Sequence, residues 1–205
     1  MRNVFVSFRQ SDGKEYKDDL CSKFDKNKYV IDYSEDEDLS KYSDVTIQKN
    51  LYGKIKRSSI TIILLTPDAI DYKRNSQGEI VDWIYKEVNY SLEDRENNKT
   101  SGLIAVYVKE AKPYLIKESY HKCTKCDGKK CKEIVYQENL FRKNMMNIKP
   151  EYKHNKCNDL YDSDYDSYCS LVPFEEFIND IERYIKIAEE KREKINEYKL
   201  TKELQ

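Results

Sequence analysis

Trp83 and Glu87 lie four residues apart in the run Trp83-Ile84-Tyr85-Lys86-Glu87-Val88. On a helix of 3.6 residues per turn, the indole and the carboxylate share one edge with Tyr90 or Ser91, while Ile84, Val88 and Leu92 form the neighbouring stripe. The aliphatic stripe is expected to bury against a sheet, which leaves the Trp83 and Glu87 edge to face a cleft at the sheet's rim. The alternative for Glu87 is a solvated surface glutamate, the commonest fate of that residue type.

A second constellation is His121, Cys123, Cys126 and Cys131, followed by His154, Cys157 and Cys169. Cys123 and Cys126 are spaced to bite one tetrahedral ion. Cys131, with Cys157 or a histidine, would close a structural zinc site, one without an open position for substrate. Reduced thiols are the alternative, since a cytosolic chain disfavours stable disulfides. The acidic runs at 34–38 and 162–166 lack the glycine and terminal glutamate of a calcium loop and read as solvated loops.

Strands and helices must position these groups. Val4 to Phe8 reads as a buried strand, followed by a helix from about Asp12 or Gly13 to Phe24. Tyr29 to Tyr33 is a second strand, opening an acidic loop whose final Ser43 or Asp44 can cap a helix with Ile47, Leu51 and Ile55 on one face. Ser59 to Thr66 is apolar enough to be a central strand covered on both sides. A polar connection through Asp71 to Gly78 leads to the Trp83 helix, which ends near Asp94, and Gly102 to Val108 is a fourth strand. This alternation predicts an α/β fold with a doubly wound parallel sheet. Residues 109–171 break the alternation and hold five of the six cysteines, so they are expected to form an insertion. A long C-terminal helix, about 173–200, should pack its first half on the sheet and project its second half or pair it with another subunit. The whole of 1–205 is expected to be one domain.

Composition narrows the function classes. Lys and Arg number 37 against 38 Asp and Glu, for a net charge of -1, so nothing electrostatic points to nucleic acid or an anionic membrane. No run approaches a membrane span, and the start of the chain is too short in apolar length for a signal peptide, which places the protein in the cytoplasm. The ends of the strands, where ligands of parallel sheets bind, are Phe8-Arg9, Asp32-Tyr33-Ser34 and Thr66-Pro67-Asp68. The 5 glycines form neither a dinucleotide fingerprint nor a P-loop. A nucleotide would therefore be held by other means, such as Arg9 or loop amides.

Asn3 to Phe8, Ile31 to Ser34, Ile62 to Pro67 and Trp83 to Val88 occur in the order and spacing of TIR-like domains. The chain resembles in particular the TIR-like proteins of bacterial Thoeris antiphage defence, over residues 1 to about 108 and again at Phe174 to Ala188. The resemblance implies a flavodoxin-like sheet and an enzyme that cleaves NAD between nicotinamide and ribose, with Glu87 as the essential glutamate. As nicotinamide leaves, the ribose gains oxocarbenium character, which a nearby carboxylate stabilises. Ser7, Phe8 and Arg9, then Asp32, Tyr33 and Ser34, and finally Trp83 would line the substrate site. The product would be a nucleotide signal, such as a cyclic ADP-ribose isomer, read by a downstream effector, and self-association is expected. The alternative is a non-catalytic interaction module. A phosphotransfer receiver ranks below both, because Ser7-Phe8-Arg9 and Thr66-Pro67 lack the acids it needs.

Overall fold

In a computed structural model of the chain, which describes residues 2–26, 28–33, 43–95, 98–120, 130–134, 139–155, 157 and 160–204, a five-stranded parallel sheet carries helices on both faces. The strands are β1 (Arg2–Ser7), β2 (Tyr29–Tyr33), β3 (Ile60–Leu65), β4 (Gly102–Tyr107) and, after the antiparallel hairpin β5 (Ile116–Tyr120) and β6 (Lys130–Ile134), β7 (Cys169–Pro173). Their order is β2-β1-β3-β4-β7, that of flavodoxin-like sheets, with the order reversing between β1 and β3. Every residue of β3 and β4 is buried, as expected for strands covered on both sides.

The helices follow from the sequence pattern. Helix α1 (Gln10–Lys23) begins two or three residues before the expected start at Asp12 or Gly13. Helix α2 (Asp44–Arg57) is capped by Ser43, whose side chain accepts from the Thr46 amide, and it buries Leu51 and Ile55. After the short α3 (Pro67–Ile70) comes α4 (Trp83–Leu92), lying beside α2, and the short α5 (Lys112–Leu115) follows β4. Phe5 packs with Leu51 and Ile55, whereas Val4 and Val6 belong to the larger cluster. Successive β1 side chains thus serve opposite faces.

Two expectations are corrected. Cys169 to Leu171, assigned to the insertion, belong to the main sheet: β7 pairs in parallel with β4, from Leu103 opposite Cys169 to Tyr107 opposite Pro173. Its five residues include a proline, which only an edge position tolerates, so it lacks the continuous apolar run that marks a central strand. The C-terminal helix is two helices, α7 (Phe174–Asn179) and α8 (Ile181–Glu193), broken at Asp180, whose carboxylate caps the second. The residues after α8 do not project. They return across the molecule, with Lys199 N donating to Asn147 O at 2.8 Å and Asn89 Nδ2 donating to Lys202 O at 2.9 Å. Tyr198 is buried, and Leu200 and Leu204 pack on the core. These scattered apolar residues suffice to hold the segment down without helical periodicity.

Helix α8 comes so close to the sheet that a Cβ at Gly102 would sit 2.6 Å from the Ala188 carbonyl oxygen and 2.8 Å from Ile60 Cδ1. Gly102→Ala is therefore expected to cost about 1 to 3 kcal/mol in a urea titration. Buried Lys191 ties α8 to the start of β7, its Nζ donating to Ser167 O at 2.8 Å and Ser170 Oγ at 2.6 Å. Burial lowers its pKa from 10.5 to about 8. Between those values the unfolded chain binds the extra proton, so stability should rise as pH rises from about 8 to 10.5. Melting against Lys191→Met, which cancels groups common to both proteins, is expected to show this rise only with the lysine present.

Candidate functional site

Helix α4 owes its start to Asp82. The Oδ1 atom of this residue accepts from Ile84 N at 2.9 Å and Tyr85 N at 3.4 Å, satisfying two of the amides that a helix leaves open at its first turn. Ile84, Val88 and Leu92 bury against the sheet, as their spacing predicts. Yet the neighbouring edge is not left to solvent. Glu87 is 1% exposed, and Ser7 Oγ donates to its Oε2 at 2.5 Å, a distance typical of a charge-assisted bond. The arc of burial widens because α4 lies over β1 and β3 with α2 on one side and α6 (Leu140–Lys143) on another.

Three polar links fasten α4 to the strands beneath it. Deepest in the sheet, Ser91 Oγ donates to the Glu87 carbonyl at 2.7 Å, so Thr61 on β3 supplies the proton of the 2.8 Å bond between the two hydroxyls. Ser7 and Glu87 form the middle link. Toward the carboxyl end, Arg9 Nη2 donates to Asp82 Oδ2 at 2.5 Å, and this oxygen also accepts from Lys73 N at 2.9 Å. The spacing is self-consistent. Two strand residues from Ser7 to Arg9 advance about 6.6 Å, and five helical residues from Glu87 to Asp82 advance about 7.5 Å, so both pairs meet across one interface. The acid thus lies at the point where strand order reverses, the place where open α/β sheets bind ligands.

Of the sequence-predicted residues, Ser7, Arg9 and Glu87 converge on this seam. Phe8 does not. Its side chain lies on the opposite face, where a Cβ at Gly13 of α1 would be 3.4 Å from Phe8 Cδ2. The cause is strand alternation, which sends Phe8 away from the Ser7 face. Trp83 stands on the α4 edge with Glu87 but packs against the cluster of Phe5, Leu51 and Ile55, with Lys86 Nζ 4.2 Å from its ring centroid. Asp32 and Tyr33 end β2, opposite Phe5 and Val6. Their side chains, and all of Ser34, lie outside the described residues. Asp82 and Thr61 were missed from sequence. The signal for Asp82 was an acid immediately before a helical run.

The zinc expectation cannot be placed as a cluster. Cys123, Cys126 and His121 lie outside the described residues, as does the Cys131 side chain, whereas Cys157 is buried. Among the described residues no three His, Cys, Asp or Glu side chains gather to hold a metal ion. His154 instead pairs with buried Asp166, Nδ1 lying 3.2 Å from Oδ1. Nor is any described helix long and apolar enough to cross a membrane.

A flavodoxin-like parallel sheet with a buried acid at its switch point defines a class of α/β domain. Within it, the TIR domain family matches residues 4–134, well over half of the chain. The protein belongs to the TIR domain family. The match runs from β1 through the β5–β6 hairpin, and the last strand of the parallel sheet, β7, follows beyond it.

The Ser7–Glu87 bond should be measurable in a double-mutant cycle. Ser7→Ala and Glu87→Ala, singly and together, are expected to give a coupling energy of about 1.5 to 3 kcal/mol by chemical denaturation. Additive effects would show that the two side chains do not hold one another.

Proposed function

We propose that this TIR domain cleaves NAD at the bond between nicotinamide and ribose, with Glu87 as the catalytic residue. The observation that carries this reading is the position of the Glu87 carboxylate: withdrawn from bulk water, held by Ser7, and set at the β1/β3 switch point. In such a place a negative charge acts through low dielectric and is worth far more than at a surface. As the glycosidic C–N bond breaks, its electron pair leaves on the nicotinamide ring nitrogen. The ribose becomes an oxocarbenium ion, and Glu87 stabilises it. Water then adds to the anomeric carbon and releases a proton, or a nucleophile within the same molecule adds instead and closes a cyclic ADP-ribose isomer. Arg9 would bind the charged part of the substrate, and Asp32, Tyr33 and Ser34 would line the site from β2. Trp83, on the same edge of α4 as Glu87, would pack beside the nucleotide.

The resemblance to Thoeris proteins extends the proposal to its setting. The domain, taken as one unit over 1–205, self-associates in the cytoplasm and makes a nucleotide messenger for a downstream effector in antiphage defence. A structural zinc in the cysteine-bearing segment belongs to the same proposal. One observation favours the alternative of a non-catalytic interaction module: Glu87 is closed off at 1% exposure, and a buried acid tied to a serine is also a way to fix helix position.

The test is nicotinamide release from NAD, with and without infected-cell extract, by wild type and Glu87→Gln. Glutamine keeps an oxygen for Ser7 and removes the charge. Loss of roughly a hundredfold or more in rate with an unchanged melting temperature is the expected result. Equal release by both proteins would remove Glu87 from the chemistry, and no release by wild type under either condition would favour the interaction module.

A further inference from the structure

The Arg9–Asp82 pair above Glu87 is lopsided. Asp82 is 1% exposed and fully served: Oδ1 accepts from Ile84 N and Tyr85 N, and Oδ2 accepts from Lys73 N as well as from Arg9. Three backbone amides and the N-terminal end of α4 stabilise this carboxylate without the guanidinium. Arg9 is the reverse case. Its side chain is 11% exposed, yet only Nη2 reaches Asp82, and Nε, itself buried, meets no acceptor among the described residues. A buried donor left unmet costs free energy until an acceptor arrives. Asp82 cannot supply it, because the carboxylate oxygen that would complete a two-point grip on the guanidinium edge is committed to the helix amides.

We propose that Arg9 exchanges partners, with Asp82 as its resting counter-ion and the diphosphate of a dinucleotide as its working one, so that the ion pair is the gate of the Glu87 site. The proposal rests on the NAD-cleaving reading for the identity of the anion. Phosphate oxygens can satisfy Nε and Nη2 together, which Asp82 does not. The exchange leaves the acid with its three amides, so α4 keeps its cap. It also draws the guanidinium outward, away from the seam in which the Ser7–Glu87 link follows two strand residues deeper. Anion arrival and uncovering of the catalytic carboxylate thus become one event. Asp82 is a positioning residue here: it touches no substrate and acts by competing for Arg9.

Inorganic pyrophosphate is the probe, titrated calorimetrically into the full chain. Asp82→Ser retains a helix-capping oxygen but frees Arg9, and it should bind pyrophosphate roughly tenfold tighter than wild type. Arg9→Gln and the double variant should lose binding altogether. Unchanged or weaker affinity in a folded Asp82→Ser protein, or undiminished binding by Arg9→Gln, overturns the gate. Should Asp82→Ser fail to fold, the wild type decides. One arginine Nε–H resonance, assigned by its absence in Arg9→Gln, should move on addition of pyrophosphate, and an unmoved resonance contradicts the exchange. This readout needs no turnover. A protein that passes it but releases no nicotinamide loses the NAD reading alone, and one that releases nicotinamide but fails it loses the gate alone.

Discussion

A carboxylate buried between a helix and a sheet is costly unless something donates to it, and this fold is arranged so that something does. Ser7 can reach Glu87 only if α4 lies in one register against β1. That register is fixed at one end by Asp82 with Arg9 and at the other by Ser91 with Thr61. The apolar stripe of Ile84, Val88 and Leu92 supplies the burial that drives α4 onto the sheet. Being non-directional, it would tolerate sliding, and the polar links are what specify position.

The same requirement reaches the far side of the molecule. The sheet under α4 is braced on its other face, where α8 approaches β4 closely enough that Gly102 has no room for a side chain. Lys191 then joins α8 to the start of β7, and the returning C-terminal segment donates to and accepts from α4 at Tyr85 and Asn89. Residues beyond the span matched by the TIR family therefore brace the helix that carries the candidate acid.

Much of this was legible in the sequence because it depends on local pattern. The unbroken apolar run of β3, the Ser43 cap and the Ile84, Val88, Leu92 stripe each announce themselves within one element. Glu87 was singled out, but its burial was not, since periodicity gives the edge on which a residue stands and not what lies across from it. Phe8 shows the same limit: it stands beside Ser7 in sequence, and alternation turns its side chain to the opposite face. Strand β7 is short and ends in proline, so it carries no signal apart from the β4 edge that receives it. Asp82 could have been found from its place before the helix, but its pairing with Arg9, 73 residues away, exists only in the folded chain.

Catalysis by this domain requires Glu87 to meet a sugar at the carboxyl ends of β1 and β3. The most direct measurement is a crystal structure of the protein with an NAD analogue whose nicotinamide ribose oxygen is replaced by a methylene, which blocks cleavage while keeping the shape. The analogue is expected at the carboxyl ends of β1 and β3, with its anomeric carbon beside the Glu87 carboxylate. An analogue bound elsewhere on the domain, with Glu87 still closed against Ser7, would contradict that role for Glu87.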